Sequence, residues 1–194
     1  MFVIKWPVVG AVFFAASCGP AAQNGVKGVY QTPATTGEFD VTLVETQSAV
    51  IDGTVSFIAG REEDAGLRAF SGVIPNQPDQ PDLIGNATFT GDYAVAFIDE
   101  ISITDDFVTG RNTLMTGTIT LNADLPQQTL SGTNGALTIS SRIMNGRDLV
   151  GSVNMLGVPG ELRGEIGDSR AFGAFHGADE THLFSGGFVT HRTP

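Results

Sequence analysis

The sequence predicts an all-β fold, an antiparallel eight-stranded β-barrel preceded by a short N-terminal β annex. Three observations support this prediction. From residue 38 onward apolar residues recur at every second position, which is the period of a β-strand. Turn-forming dipeptides such as Asn145-Gly146 separate these runs, and most runs carry a glycine on their apolar face.

The N-terminus has the features of a targeting segment. Lys5 provides a positive charge, and the apolar stretch from Val8 to Ala16 is too short to span a bilayer, which takes about 20 residues. Small residues lead into Cys18, the single cysteine of the chain. The segment resembles a bacterial lipoprotein signal, which implies cleavage after residue 17 and acylation of Cys18. An ordinary secretory signal or a short membrane anchor is the alternative.

Residues 18–37 are rich in Gly, Pro, Ala, Thr and Gln, a composition that predicts a flexible tether. Gly19 follows the cysteine, where lipoproteins retained in the inner membrane carry Asp. The resemblance therefore implies a lipid-anchored protein of the bacterial outer membrane. Exposure on the cell surface and orientation toward the periplasm are both left open.

Residues 38–82 are expected to form about three strands that end in a proline-rich linker. Three prolines within 75–82 remove the backbone donors that a continuing sheet needs. Residues 83–194 then hold eight predicted strands, near 86–98, 100–109, 112–123, 128–140, 148–156, 161–167, 170–176 and 183–191. Eight is the number at which side chains just fill a small barrel.

The glycines favour a closed barrel over an open sheet. Glycine weakens a strand, so its recurrence on the apolar face needs a physical reason. Steeply coiled strands bend at glycine, and an inward glycine leaves room for an aromatic ring from a neighbouring strand. Candidate positions of this kind include Gly91, Gly117, Gly151 and Gly173. Turns are predicted at Asn134-Gly135, Asn145-Gly146 and Pro159-Gly160, among others.

Three motifs follow one another in the predicted barrel: an opening run around Tyr93, a strand from Gly117 to Asp124, and a closing hairpin from Ala171 to Phe188. In this order they resemble the transferrin-binding protein B-like family of surface lipoproteins, with His176 in place of the usual Tyr of the closing hairpin. The resemblance implies a single small barrel and a lipid-anchored binding protein. Its large members are bilobed, and this chain has room for one barrel, so transferrin binding is not carried over.

The ligand stays unassigned at this point. A host or environmental protein, or a haem or iron source, fits the binding interpretation, and His176 and His182 are the weak candidate ligand-binding residues because they flank the last turn. Polar ends of the final hairpin explain both histidines equally well. Acidic groups at Glu62 to Asp64 and at Asp105-Asp106 are interpreted as solvated loops. The alternative function is a structural or envelope-maintenance lipoprotein without a soluble ligand.

Composition excludes several function classes. A net charge of −11 disfavours nucleic-acid binding, which needs a basic face. One cysteine forms no internal disulfide and no cysteine-based zinc site. The nucleophile, metalloprotease and phosphate-loop motifs are missing from the sequence, so neither an enzyme nor a cofactor is expected.

Overall fold

The computed structural model describes residues 25–62, 66–77, 82–104 and 108–194. These residues form twelve strands: β1 (Val26–Tyr30), β2 (Val44–Ile51), β3 (Val55–Glu62), β4 (Gly66–Val73), β5 (Ala87–Ile103), β6 (Val108–Asp124), β7 (Thr129–Asn134), β8 (Leu137–Met144), β9 (Asp148–Met155), β10 (Val158–Ile166), β11 (Arg170–Ala178) and β12 (Leu183–Arg192). Within this part of the chain, no helix is long and apolar enough to cross a membrane.

Strands β5 to β12 close into an eight-stranded antiparallel barrel, in the order β10-β11-β12-β5-β6-β7-β8-β9. Strands β1 to β4 form a separate sheet, in the order β1-β4-β3-β2. This arrangement confirms the predicted fold class, an eight-stranded barrel with an N-terminal β annex. We call the sheet of β1 to β4 the annex sheet below.

The prediction of the barrel strands contains two errors that cancel, so the predicted number of eight strands is still correct. The segments predicted as 86–98 and 100–109 are largely one strand, β5, because the chain passes Asp99-Glu100 in a β-bulge and not in a turn. Glu100 absorbs the extra residue with a φ of 54°. The segment predicted as 128–140 is two strands, β7 and β8, joined at Gly135-Ala136.

The turn predicted at Pro159-Gly160 is wrong. Both residues lie within β10, where Pro159 is paired with Asn154 of β9. The turn lies earlier, at Leu156 and Gly157, whose φ angles are 52° and 94°. Two successive positive φ values give the backbone twist that a two-residue hairpin requires, and the proline ring fixes φ at a negative value.

The barrel interior is filled by apolar side chains. Its core includes Phe89, Phe175, Phe184 and Phe188, each 0 % exposed. Two of the four candidate glycines make room for rings as the sequence predicted, whereas Gly91 and Gly151 lie against the backbone of neighbouring strands. A Cβ at Gly173 would lie 2.9 Å from the ring of Phe188, and one at Gly117 would lie 2.7 Å from the ring of Tyr93.

The annex sheet packs on the outer face of β11, β12 and β5. Strand β5 is therefore buried on both faces: Tyr93, Val95 and Phe97 point into the barrel, and Ala94 and Ala96 pack against the annex sheet. The hydroxyl of Ser185 on β12 donates a hydrogen bond to the carbonyl of Ile58 on β3, at 3.0 Å. Across the same interface, the guanidinium of Arg170 donates to Thr54 and Gln77.

Strand β1 lies inside the range 18–37 that composition predicted as a tether, so the structure differs from the prediction there. Val26 is 3 % exposed within the core shared with β3 and β5. The strand pairs in parallel with β4, about forty residues further along the chain. Because the partner strand is so distant in the sequence, the composition of residues 18–37 does not indicate the pairing.

Candidate functional site

The final hairpin, β11 and β12, carries both candidate histidines. Side chains of β11 alternate between the barrel interior and the annex sheet. Phe175 points inward, and its neighbour His176 points outward, into the interface with the annex sheet. A Cβ at Gly28 of β1 would lie 2.8 Å from the His176 ring, and Nδ1 of His176 lies 3.5 Å from the hydroxyl of Ser71 on β4.

His176 is a half-buried residue of the interface between the barrel and the annex sheet. Burial lowers the pKa of its imidazole below the ordinary value, Glu161 partly opposes this shift, and Arg163 reinforces it. A neutral ring is therefore favoured in the folded chain. The tight packing against Gly28 leaves no room for a bound group on that side of the ring.

His182 lies in the loop between β11 and β12, at one end of the barrel. Its Nδ1 is 2.9 Å from Oδ1 of Asp179, and its ring centroid is 5.6 Å from that of Phe97. Burial by itself would raise the pKa of Asp179, but hydrogen bonds from the Thr181 amide and from His182 outweigh it and hold that pKa below its usual value. The arrangement orders the loop and covers the mouth of the barrel above Phe97.

The two candidate histidines thus contact different surroundings. His176 faces the annex sheet on the outside of the barrel, and His182 packs on Phe97, an interior residue. Among the described residues, no group of three or more His, Cys, Asp or Glu side chains is placed to hold a metal ion. The hairpin brings His182 to Asp179 and does not bring it to His176.

The acidic groups are only partly described. Glu62 forms an ion pair with Arg68 at 3.1 Å. Glu63, Asp64, Asp105 and Asp106 lie outside the described residues. Cys18, the predicted lipidation site, also lies outside them.

The outer surface has depressions at both ends of the barrel. An open, mostly polar groove of about 1160 Å³ lies at the barrel end where β5 begins and β12 ends, and Thr88, Asn122 and Arg192 are among its lining residues. A cavity of about 330 Å³ lies between the annex sheet and the β5–β6 hairpin, near the opposite end. We call the second one the Asn112 cavity.

Asn112 is a polar residue of this cavity whose role sequence reasoning missed. Its Nδ2 donates to the carbonyls of Ala59 at 2.8 Å and Glu45 at 3.1 Å. These two bonds fix the orientation of the amide. Its Oδ1 is buried and has no hydrogen-bond partner among the described residues. An Asn in a Thr-rich strand gives no sequence signal for this role, because both carbonyls belong to residues more than fifty positions away.

The comparisons with known proteins return similarity of fold alone. No protein-family model matches the chain, and no curated protein matches it. Solved structures similar to it include intact Ap-TbpB with its N and C lobes, at a TM-score of 0.48 and 14 % identity, covering 76 % of this chain and 38 % of that one. The isotype 1 transferrin binding protein B from serogroup B Neisseria meningitidis has a TM-score of 0.45 and 11 % identity over 79 % of this chain and 36 % of its own.

A third similar structure is the transferrin binding protein B double mutant from Haemophilus parasuis Hp5, at a TM-score of 0.43 and 11 % identity, covering 76 % of this chain and 36 % of that one. This chain therefore spans less than two fifths of the length of each of these proteins. The likeness transfers no functional residue to this chain.

Proposed function

We propose that the chain is a lipid-anchored, outer-membrane binding protein without enzymatic activity, and that its ligand is another protein held on the outside of the barrel. The observation that carries the proposal is the packed barrel interior. Phenylalanine rings and aliphatic side chains fill it, so it does not offer the lumen that barrels use to enclose a small molecule. Binding therefore falls to the outer surface, which suits a macromolecular partner.

The anchor in this proposal is Cys18. It lies seven residues before Gly25, where the described chain begins, and seven residues reach at most about 25 Å in any conformation. A Cβ at Gly25 would lie 3.2 Å from Val108 at the start of β6. Acylation at Cys18 would hold the β5–β6 end of the barrel within that reach of the membrane. The net charge of −11 adds no attraction to anionic lipid, so the acyl chains supply the attachment.

A protein ligand is favoured over haem or an iron source. His176 is packed against Gly28 on the outside of the barrel, and His182 packs on Phe97 at its mouth, so the two imidazoles do not form a paired site for iron. Exposed large apolar side chains of the described residues are all aliphatic, among them Val44, Leu114 and Leu156. A loop-mediated protein site would show exposed aromatic side chains at the loop tips. Because the exposed large apolar residues in the described part of the chain include none, strand surfaces are the better candidates.

The test uses the full chain in a Gram-negative host. Labelling with a radioactive or alkyne-bearing fatty acid should mark the wild-type protein, and Cys18→Ser should remove the label and release the protein from the membrane fraction. Protease added to intact cells should degrade the wild type before lysis. Surface cross-linking followed by mass spectrometry should then recover a protein partner.

Three outcomes oppose the proposal. An unlabelled wild-type protein refutes the anchor. Protection from protease until lysis places the protein on the periplasmic side. Haemin retention by the purified chain, with no cross-linked protein, would favour an iron source, and no retention of either ligand would favour the envelope-maintenance function.

A further inference from the structure

One edge of β6 lacks a neighbouring strand over most of its length. Strand β6 pairs with β5 from Val108 to Ala123, but it pairs with β7 only from Asn122 to Asp124. The side chain of Asn134, at the end of β7, donates one further hydrogen bond to the carbonyl of Thr118. Among the described residues, no strand pairs with β6 on this side between Thr109 and Gly117. We call this stretch the free edge of β6.

The backbone groups that point outward at the free edge can be identified by register. The carbonyls of Thr118 and Thr120 face β7, since Asn134 bonds the first and Gly132 lies against the second. Backbone donors and acceptors of an antiparallel strand alternate sides from one residue to the next. The N–H and C=O groups of Leu114 and Thr116 therefore point away from β5, toward solvent.

Most of the free edge lacks the devices that usually discourage strand pairing. Exposed edges are commonly blunted by charged residues, prolines or bulges. Arg111 is the one charged residue from Thr109 to Gly117, and it is paired with Asp99 at 2.7 Å; the residues from Asn112 to Gly117 include no charge and no proline. The edge strand of the annex sheet, β2, differs: it carries Glu45 and a bulge between Val44 and Gln47. Leu114, on the outer face of the free edge, is 40 % exposed.

The Asn112 cavity opens beside this edge. Gly110 and Asn112 of β6 line one side, and Glu45 and Gln47 of β2 line the other. Arg61, also in the lining, is paired with Glu45 at 3.3 Å, so the two charges of the cavity already face each other. The group left without a partner is Oδ1 of Asn112, a buried acceptor that needs a donor.

We propose that the free edge of β6 binds an extended segment of a protein partner by strand addition, with a lysine side chain of that segment reaching the Asn112 cavity. In this mode main-chain hydrogen bonds provide affinity and a side-chain pocket provides specificity. A lysine ammonium supplies the missing donor to Oδ1 of Asn112, and its charge complements a chain with a net charge of −11. The inference deepens the proposed function and rests on its protein ligand, but not on the membrane anchor.

The probe is a soluble peptide of alternating Thr and Val residues with one central Lys, acetylated and amidated at its ends. Titration into the ¹⁵N-labelled full chain in detergent, followed by NMR, should shift the amides of Leu114 and Thr116 and slow their hydrogen exchange. Replacing Lys with norleucine should weaken binding roughly tenfold, as expected for the loss of a hydrogen bond to a buried acceptor. N-methylation of alternate peptide residues on the paired side should abolish binding.

A matched pair of variants distinguishes peptide binding at the free edge from nonspecific binding to the protein surface. Leu114→Lys places a charge on the free edge, and Val150→Lys places one at a 53 % exposed aliphatic position of β9, a strand paired on both sides. Only the first should weaken peptide binding. Equal affinity of the Lys and norleucine peptides, unchanged exchange at Leu114 and Thr116, or no binding at millimolar peptide would overturn the inference. A surface partner recovered by cross-linking alongside any of these results would leave the proposed function standing.

Discussion

The contact between Gly173 and Phe188 offers a quantitative test of the barrel. The two residues are cross-strand partners on β11 and β12, and both face the interior. A methyl group added at Gly173 would lie 2.9 and 3.0 Å from two carbons of the Phe188 ring and 3.3 Å from the carbonyl oxygen of Arg163. Carbon atoms prefer separations of about 3.5–4.0 Å, so the ring would have to move. Phe188 is 0 % exposed, which leaves it little room to do so.

The expected cost of Gly173→Ala follows from two opposing effects. Overpacking of a filled core costs about 1–3 kcal/mol. Replacing glycine with alanine also restricts the unfolded chain, which stabilises the fold by about 0.4–1 kcal/mol. The net loss should be about 1–2 kcal/mol in the free energy of unfolding. For a chain of this size, that corresponds to a decrease in Tm of about 2–8 °C.

A double-mutant cycle isolates the contact. Phe188→Leu removes the ring carbons that the new methyl group would meet, and by itself it should cost about 0.5–3 kcal/mol. In that background Gly173→Ala should be neutral or stabilising, so the two changes should couple by at least about 1 kcal/mol. Urea unfolding followed by fluorescence and circular dichroism measures the free energy of unfolding of the wild type, the two single variants and the double variant. Additivity within about 0.5 kcal/mol would mean that the ring does not cover Gly173, and the reasoning from register would fail.

Three further outcomes are expected. Phe57→Ala should cost about 3–5 kcal/mol and still give one cooperative transition, because Phe57 lies in the core that joins the annex sheet to the barrel; two separated transitions in calorimetry would contradict this. Because burial lowers the pKa of His176, the folded chain binds fewer protons than the unfolded chain below about pH 6.5, so urea midpoints should fall as the pH decreases from 7 to 5. His176→Gln should reduce the dependence of the urea midpoint on pH. If the dependence stays equally steep in this variant, other titratable groups cause it. Cys18→Ser should leave the circular dichroism spectrum and Tm of the detergent-solubilised chain unchanged, because the barrel core is filled by side chains between Leu83 and Phe188; a marked loss of stability would give Cys18 a structural role.

Local pattern was enough to predict the barrel because antiparallel neighbours are joined by short turns. Alternation and turn residues identified most of the strands, and inward glycines indicated closure. What the pattern could not show is pairing between distant segments. Strand β1 joins β4 in parallel, and a polar-looking segment therefore becomes part of a core. The β-bulge at Glu100 was predicted as a break between two strands. Turns and bulges both use residues with positive φ, so the same kind of local sequence fits either one.

The candidate site was less predictable than the fold. The sequence singled out His176 and His182 because they flank one turn, but adjacent strand positions point to opposite faces and loop residues follow their own hydrogen bonds. The strand register places His176 against Gly28 of β1, and His182 is hydrogen-bonded to Asp179. Asn112 depends on carbonyls of Glu45 and Ala59 from the annex sheet. Its role exists only after the annex sheet has docked on the barrel.

The way β5 is held bears directly on the free edge of β6. From Tyr93 to Ile98, β5 is buried by the barrel core on one face and by the annex sheet on the other, and β6 pairs with β5 along that stretch. The amide of Asn112 ties β6 to the annex sheet at two carbonyls. An edge fixed in this way loses little conformational entropy when a strand is added, so ordering the partner segment is the main entropic cost of association. The annex sheet therefore does two things for the same site: it rigidifies the hairpin that bears the free edge, and it forms the far wall of the cavity beside it.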